Sequence, residues 1–426
     1  MSTAGRMFSA AAGLAGLALL LALVLETPRA QSVPETVGPR GSWTMYQRDA
    51  AHNAVFAQPG FRANWLVKLG DKINGGLAIV DGTVYADSFD RKLYAIDAAT
   101  GDVRWSAQAD NTLMSTPVVQ DGLVIVGSGR DGFLKPDDMI SQTWGRPEGD
   151  DLLAFATSDG HLVWKIHTDG EDMPSPAIVG DALIFANGDL HAYNVELATG
   201  KRRWTASLPG VATMASASED RGKVFISSCH NAPYVCETRA LDARSGQTLW
   251  TSPYGGSDCT PTVDNGFVFT NINRNDEARY HTGGVTLVVA MDERTGRTIW
   301  THESVPGPYT FVASAERQIA GTGDRGVLYQ PIGNAQRVIA FEERSGKVLW
   351  TFHTSANVKM SPIVKGDVVY FGDTAGILYS VNRKTGRLMH ATSFLQSFST
   401  SPPVIVGETI FVANGPIVVA MPLDGV

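Results

Sequence analysis

Two aspartates stand in short segments that each lead into a strand of small residues, and their carboxylates could carry acid–base chemistry. Asp258 lies in GGSDCTP (Gly255 to Pro261) and Asp172 lies in GEDMPSP (Gly170 to Pro176). A carboxylate held in a pocket can donate or accept a proton during a reaction. Cys259 follows Asp258 directly and is the third candidate catalytic residue. The other copies of this segment mostly place Ser or Met where Asp258 stands, so an aspartate there favours a functional role.

Two lysines occupy the corresponding segments of other copies, Lys72 in DKINGG and Lys359 in ANVKMSP. Ammonium groups beside carboxylates predict a pocket that binds a small polar or anionic ligand. In the alternative interpretation, the same charges line a polar, water-filled channel opening. The methionines that recur near matching positions would then be packing residues; they are Met114, Met173, Met214 and Met360.

One phrase recurs along the chain: an apolar strand, a tight turn ending in glycine, and a strand with tryptophan four residues after that glycine. Six full copies end at Trp105, Trp164, Trp204, Trp250, Trp300 and Trp350. A seventh copy has His390 at the tryptophan position, and an eighth, IVVAMPLDG, ends without an outer strand. Successive tryptophans lie 40 to 59 residues apart. A basic period near 40 residues with insertions predicts one four-stranded blade per repeat.

These repeats predict an all-β fold, an eight-bladed β-propeller of four-stranded antiparallel blades. The segment Asn64 to Leu69 has the tryptophan-strand pattern, with Trp65, but no preceding inner strands. Docking it beside the last strand would close the ring and remove two exposed edges. The predicted organisation is a signal peptide or anchor at 1–30, a leader segment at 31–62 and the propeller at 63–426.

Long insertions are predicted to lie on one face of the propeller. They fall in loops between second and third strands, on the same side as the crossings between blades that contain the charged residues above. Trp144 and Arg146, in the insertion Gly129 to Asp151, are candidate substrate-binding residues. Long loops on a rigid scaffold often carry function. The other insertions are Cys229 to Glu237, Asn271 to Gly284 and Gln330 to Gln336.

The N-terminus predicts export. Met7 to Leu25 is an uncharged apolar run preceded by Arg6, which is typical of a secretory signal or an uncleaved anchor. Ala30 is a candidate cleavage residue, and both forms stay open. We therefore expect a periplasmic or secreted protein, either free or anchored to the inner membrane, with no other membrane contact. The net charge of -8 disfavours nucleic acid as a partner.

The chain has three cysteines and nine histidines. Export permits a disulfide, and Cys229 and Cys236 flank a short loop that one could staple. Cys259 would then be a lone thiol, and three separate buried cysteines are the alternative. The histidines are scattered without the spacing of metal ligands, so no metal site is predicted from them.

The repeat resembles the pyrroloquinoline-quinone (PQQ) repeat propellers, the quinoprotein alcohol dehydrogenase-like family. The six Gly-x-x-x-Trp copies carry the resemblance, and SWTMYQRDAAHNAVF resembles the segment that leads into that family's propeller. The resemblance implies the fold, and its members include PQQ-dependent dehydrogenases, tetrathionate hydrolase and outer-membrane assembly propellers. It also implies that Asn187 and Asp189, in FANGD, lie near a calcium-ligand strand, so PQQ with calcium is a candidate cofactor. The adjacent cysteine pair of the dehydrogenases is absent from the sequence.

Three functions remain open at this point: a PQQ-dependent dehydrogenase, a cofactor-free hydrolase like tetrathionate hydrolase, and a non-catalytic scaffold. We expect a small-molecule ligand at the channel mouth and favour an enzyme over a scaffold. A protein partner bound through the insertion-bearing face is the alternative. In the hydrolase, Asp258 would be the general acid or base, and Lys72 or Lys359 would hold the anion.

Overall fold

The computed structural model describes residues 42–129, 150–212, 214–231, 234–256, 258–274, 285–304 and 319–426. These residues form eight antiparallel sheets whose first strands neighbour one another around a hub. The predicted eight-bladed β-propeller is confirmed.

Blades 1 to 4 each contain four consecutive strands, given from the innermost outward. Blade 1 has Ala78–Val80, Thr83–Ser88, Lys92–Asp97 and Val103–Gln108. Blade 2 has Val118–Gln120, Leu123–Gly129, Asp150–Ala156 and Leu162–Thr168, with the short strands Ser42–Trp43 and Thr112–Leu113 added. Blade 3 has Ala177–Val179, Ala182–Ala186, His191–Glu196 and Arg202–Ser207. Blade 4 has Ser218–Asp220, Lys223–Asn231, Tyr234–Asp242 and Thr248–Ser252.

Blades 5 to 8 follow the same plan. Blade 5 has Thr262–Asp264, Phe267–Arg274, Val285–Asp292 and Thr298–Ser304. Blade 6 has Thr322–Asp324, Val327–Ile332, Arg337–Glu342 and Val348–His353, with a 3₁₀ turn at Gly333–Ala335. Blade 7 has Ile363–Lys365, Val368–Gly372, Ile377–Asn382 and Leu388–Ser393. Blade 8 has Val404–Val406, Thr409–Asn414 and Ile417–Pro422, followed by a 3₁₀ turn at Leu423–Gly425.

The N-terminal strand Trp65–Lys68 supplies the outermost strand of blade 8. It pairs antiparallel with Ile417–Pro422, and Trp65 lies opposite Ala420. The predicted closure of the ring by the segment containing Trp65 is therefore confirmed. This pairing covers the edge that the last repeat would otherwise expose.

The repeated tryptophans join each blade to the next. The indole N–H of Trp250 in blade 4 donates to the carbonyl of Glu293 in blade 5 at 2.9 Å. A Cβ added to Gly296 would lie 2.5 Å from the Trp250 ring, and Gly296 has a φ of +70°. Glycine is thus needed there both for the backbone and for the contact with the ring. Trp65, Trp105, Trp164, Trp204, Trp300 and Trp350 donate in the same way to the following blade.

Residues 42–56, part of the predicted leader, follow the innermost strands around the hub. Ser42–Trp43 pairs antiparallel with Val118–Gln120 of blade 2. Val55–Phe56 pairs parallel with Val404–Val406 of blade 8. Between these ends the leader backbone accepts hydrogen bonds from blades 3, 5 and 6; the pairs are Ile178 to Thr44, Val263 to Ala50 and Gly323 to Ala51. The leader is therefore an integral layer of the hub rather than a separate tail.

Candidate active site in the central cavity

Among the described residues, one position recurs in the crossings into seven of the eight blades and lines the central cavity. It lies four residues before the innermost strand begins, in the crossing from the preceding blade. Because the blades are related by rotation about the hub, these side chains form a ring, which we call the upper ring. Its described members are Asn74, Met114, Met173, Met214, Asp258, Lys359 and Thr400, and all of them line the cavity.

A second ring lies two residues further along each crossing; five of its members carry a hydroxyl group, and the other three are Gly76, Ala320 and Pro402. Its members join adjacent blades. The backbone N–H of Ser175 donates to Ser216 Oγ at 2.9 Å, and that of Ser216 donates to Thr260 Oγ1 at 3.0 Å. Small side chains at this level leave space on the axis and fix the spacing of the blades. The cavity above and between them encloses about 540 Å³, including its opening to solvent.

The leader supplies the floor of the cavity. Tyr46 lines the cavity, and its hydroxyl lies 3.1 Å from Ser361 Oγ in blade 7. Burial raises the pKa of Tyr46 to about 12, so the phenol keeps its proton at neutral pH. Tyr46 therefore presents a neutral hydroxyl to the cavity.

His52 lies beneath Tyr46, and the two rings meet edge to face with centroids 5.2 Å apart. The His52 ring is fully buried, and its nitrogens lie near Gly321 O at 3.2 Å and Ser218 Oγ at 3.4 Å. Burial lowers the pKa of His52 to about 4. A neutral imidazole here joins the leader to blades 4 and 6.

Asp258 and Cys259 are neighbours in sequence but have different surroundings. Asp258 is half-buried and lines the cavity. Cys259 is buried in the wall, where its sulfur lies 3.3 Å from Asn271 Nδ2. Burial raises the pKa of Cys259 to about 11, so it stays a thiol at neutral pH. Asp258 thus lines the cavity, whereas the sulfur of Cys259 lies in the wall.

The two predicted lysines lie at different depths. Lys359 belongs to the upper ring and lines the cavity on the side of blade 7. Lys72 is exposed, and its ammonium nitrogen lies 4.0 Å from the centroid of the Phe89 ring. Phe89 packs with Met114 and Met173, which places Lys72 at the outer edge of the methionine side of the cavity.

Asp172 is buried beside the second strands of blades 2 and 3 and does not line the described cavity. Its carboxylate oxygens accept from Thr168 Oγ1 at 2.7 Å and from Asn187 Nδ2 at 2.9 Å. Burial raises the pKa of Asp172 well above its usual value. Asp172, in the crossing before blade 3, is thus bonded to the end of the outer strand of blade 2 and to the loop after the second strand of blade 3.

Asn187 and Asp189 belong to the same local network, so their fit to a calcium and quinone site can be tested. Asn187 Oδ1 accepts from the Asp189 backbone N–H at 3.1 Å, and its amide group donates to Asp172. Asp189 accepts from the Tyr193 hydroxyl at 2.5 Å. Neither residue lines the cavity, and within the described ranges no three His, Cys, Asp or Glu side chains are grouped around a point that could hold a metal ion. These oxygens are thus engaged with one another beside the cavity, and the calcium and PQQ role that the resemblance implies for them stays a prediction.

The other predicted site residues fall outside the cavity or outside the described residues. Cys229 and Cys236 are joined by a disulfide at the base of the second-to-third-strand loop of blade 4. Trp144 and Arg146 lie outside the described residues.

Sequence reasoning did not single out three residues of the cavity, Tyr46, Asn74 and Thr400, or His52 beneath it. Tyr46 and His52 lie in a leader that has no repeat to align. Asn74 and Thr400 occupy the upper ring, and counting four residues back from each innermost strand would have found them. Asp87 lies behind Gly75 of the cavity wall, where burial raises its pKa well above the usual value.

Comparison with known proteins decides the family. The family model described as "Outer membrane protein assembly factor BamB", of the PQQ repeats, matches residues 54–281 and 285–425. The chain belongs to this PQQ-repeat family. The family's repeats thus cover the propeller and the last residues of the leader.

Relatives within and around the PQQ-repeat family have different activities. Tetrathionate hydrolase of Acidithiobacillus ferrooxidans is 25% identical over 89% of this chain and 85% of its own length. BamB of Yersinia pestis is 28% identical over 50% of this chain and 52% of its own length. A europium-containing methanol dehydrogenase shares the fold, with a TM-score of 0.65 at 13% identity over 88% of this chain and 90% of its own. Family membership alone therefore does not select one activity.

Among the residues that the structure describes, no helix has the length and apolar character needed to cross a lipid bilayer. The predicted signal or anchor at 1–30 lies outside those residues.

Proposed function

We propose that the protein is an exported hydrolase that cleaves a small sulfur oxyanion, tetrathionate or a related polythionate, in the central cavity. The observation that carries this proposal is that Asp258 and Lys359 occupy the same ring position two blades apart and line one cavity. The similarity to tetrathionate hydrolase over 89% of this chain supports the choice of substrate class.

Lys359 supplies the positive charge that a sulfonate group requires. Asn74 and Thr400 lie on the same side of the ring, in blades 1 and 8, and the side-chain amide N–H of Asn74 can donate to a sulfonate oxygen. The Thr400 hydroxyl donates to the Asn74 carbonyl at 2.5 Å, which holds this polar side together. A charge-assisted contact of this kind orients the anion as well as binding it.

Asp258 acts on water. Its carboxylate takes a proton from a water molecule whose oxygen forms a bond to a terminal sulfonate sulfur. The bond from that sulfur to the next sulfur breaks, and its electron pair goes to the chain sulfur, which then receives the proton from Asp258. Tetrathionate and water give hydrogensulfate and the protonated monoanion of the remaining three-sulfur chain, so atoms and charge balance. Neither Cys259 nor a cofactor takes part in this step.

The proposed function includes export of the protein from the cytoplasm. The apolar run Met7 to Leu25 is typical of a secretory signal or anchor, and the disulfide between Cys229 and Cys236 suits an oxidising compartment. The protein would act in the periplasm or outside the cell on a small-molecule substrate. A scaffold that binds a protein partner through the same face needs no paired carboxylate and ammonium groups inside the cavity.

The test is Asp258→Asn, which keeps the size of the side chain and removes the base. We expect hydrolysis of tetrathionate to fall about 10²–10⁴-fold, because general-base catalysis contributes rate factors of this size. Sulfate release measured by ion chromatography gives the rate, and the melting temperature shows whether the fold is kept. Asp110→Asn, an exposed aspartate that pairs with Lys165 on the same face, is the matched control. A folded Asp258→Asn protein with an unchanged rate would remove Asp258 from the mechanism.

A further inference from the structure

Three methionines form one side of the cavity, and the proposed hydrolysis uses none of them. Met114, Met173 and Met214 occupy the upper ring in the consecutive blades 2, 3 and 4. They are three of the chain's 11 methionines. The described upper-ring residues of blades 1, 5, 7 and 8 are polar, so thioether sulfur is concentrated on one side of a cavity that is polar on the other.

Two sulfur atoms of this methionine side lie near the same glycine. A Cβ added to Gly129, at the end of the second strand of blade 2, would lie 3.2 Å from Met114 Sδ and 3.6 Å from Met173 Sδ. Met114 and Met173 are buried, and the half-buried Met214 packs against them. Because Gly129 has no Cβ, the two sulfurs pack against the same backbone position, and the Met214 side chain packs beside them.

Soft thioether ligands select soft cations, and copper(I) is the soft cation that methionine binds. We propose that Met114, Met173 and Met214 form a binding site for a soft monovalent cation, copper(I), on the side of the cavity opposite Lys359. The flexible methionine side chain can adjust the direction of its sulfur without moving the backbone.

The surroundings suit a single positive charge reached from solvent. The cavity opens to solvent, so a cation can enter. Asp258, next to Met214 around the ring, supplies the nearest carboxylate of the upper ring, while Lys359 lies two blades further on. The site thus has one carboxylate of the upper ring beside it, and the Lys72 ammonium stands over Phe89 at its outer edge.

The test is titration of the purified full chain with copper(I), kept reduced by ascorbate under nitrogen, in competition with the chelator bathocuproine disulfonate. All variants carry Cys259→Ala, because a thiol would bind the same cation. We expect one equivalent of copper per chain, with sulfur neighbours at the metal in X-ray absorption spectra. The triple variant Met114→Leu, Met173→Leu, Met214→Leu should bind at least about 100-fold more weakly, since losing even supporting groups weakens metal sites about 10–100-fold.

Met389→Leu, an exposed methionine on the outer strand of blade 7, is the matched control and should bind as tightly as the parent. Methionine and leucine have similar volumes, so the fold should be kept. If the triple variant fails to fold, the three single variants decide, each with an expected loss of about 10-fold or more. Copper bound with unchanged affinity by the leucine variants, or not bound by the parent chain, would overturn the proposal. Neither result depends on tetrathionate hydrolysis.

Discussion

Adjacent residues of a crossing segment point in different directions, and this decides which of them can do chemistry. Asp258 and Met173 line the cavity, whereas Cys259 and Asp172 are buried in the wall. The sequence identified both segments, since each leads into a small-residue strand. The sequence could not show which of two neighbouring residues lines the cavity, because this depends on the register with which each crossing enters its blade.

His52 gives a prediction for stability against pH. Its pKa is about 4 in the folded protein and 6.5 ordinarily. Between these pH values the unfolded chain binds a proton at His52 and the folded chain does not. The free energy of unfolding therefore falls as the pH falls from 6.5 to 4, by up to about 1.4 kcal/mol per pH unit. His52→Asn removes this contribution. We expect its urea midpoint to drop less than that of the wild type between pH 7 and pH 4.5.

His390→Gln, at an exposed histidine, is the control. Its urea midpoint should drop between pH 7 and pH 4.5 by as much as that of the wild type. If the His52→Asn and wild-type midpoints fell by the same amount, His52 would not be the buried neutral group that the structure shows.

At the scale of elements, the contact between a tryptophan and the glycine turn of the next blade explains why the repeat could be recognised. Trp300 of blade 5 donates to Glu343 of blade 6 at 2.6 Å, beneath Gly346. Both residues of such a contact are visible in the sequence because each belongs to a repeat. The leader at 42–56 also bonds to the innermost strands of the hub but has a single copy, so no periodicity could reveal its path.

Two glycines of blade 5 can separate the tryptophan contact from backbone strain. Gly296→Ala places a Cβ 2.5 Å from the Trp250 ring at a φ of +70°, whereas Gly266→Ala has a φ of +83° with nothing within 4 Å. Both should lose about 1–2 kcal/mol from the left-handed conformation. Gly296→Ala should lose a further ~1–3 kcal/mol from overpacking. Urea unfolding measures both, and equal losses would show that the ring contact contributes little.

On the scale of the whole molecule, ring closure brings the two ends of the propeller sequence together. Trp65–Lys68 completes blade 8. The leader that precedes it forms backbone hydrogen bonds with the innermost strands around the hub. The number of blades and the closing strand were predictable, because the incomplete first and last repeats complement each other. The composition of the cavity was predictable only in part, since it combines described residues of eight crossings with Tyr46 from the leader.

In the function that we propose, this cavity hydrolyses a sulfur oxyanion without a quinone. The most direct measurement follows tetrathionate and sulfate by ion chromatography with the purified full chain, both without additions and with PQQ and calcium. We expect tetrathionate to be consumed and sulfate to be released at the same rate in both conditions. No consumption, or consumption that requires PQQ and calcium, would contradict it.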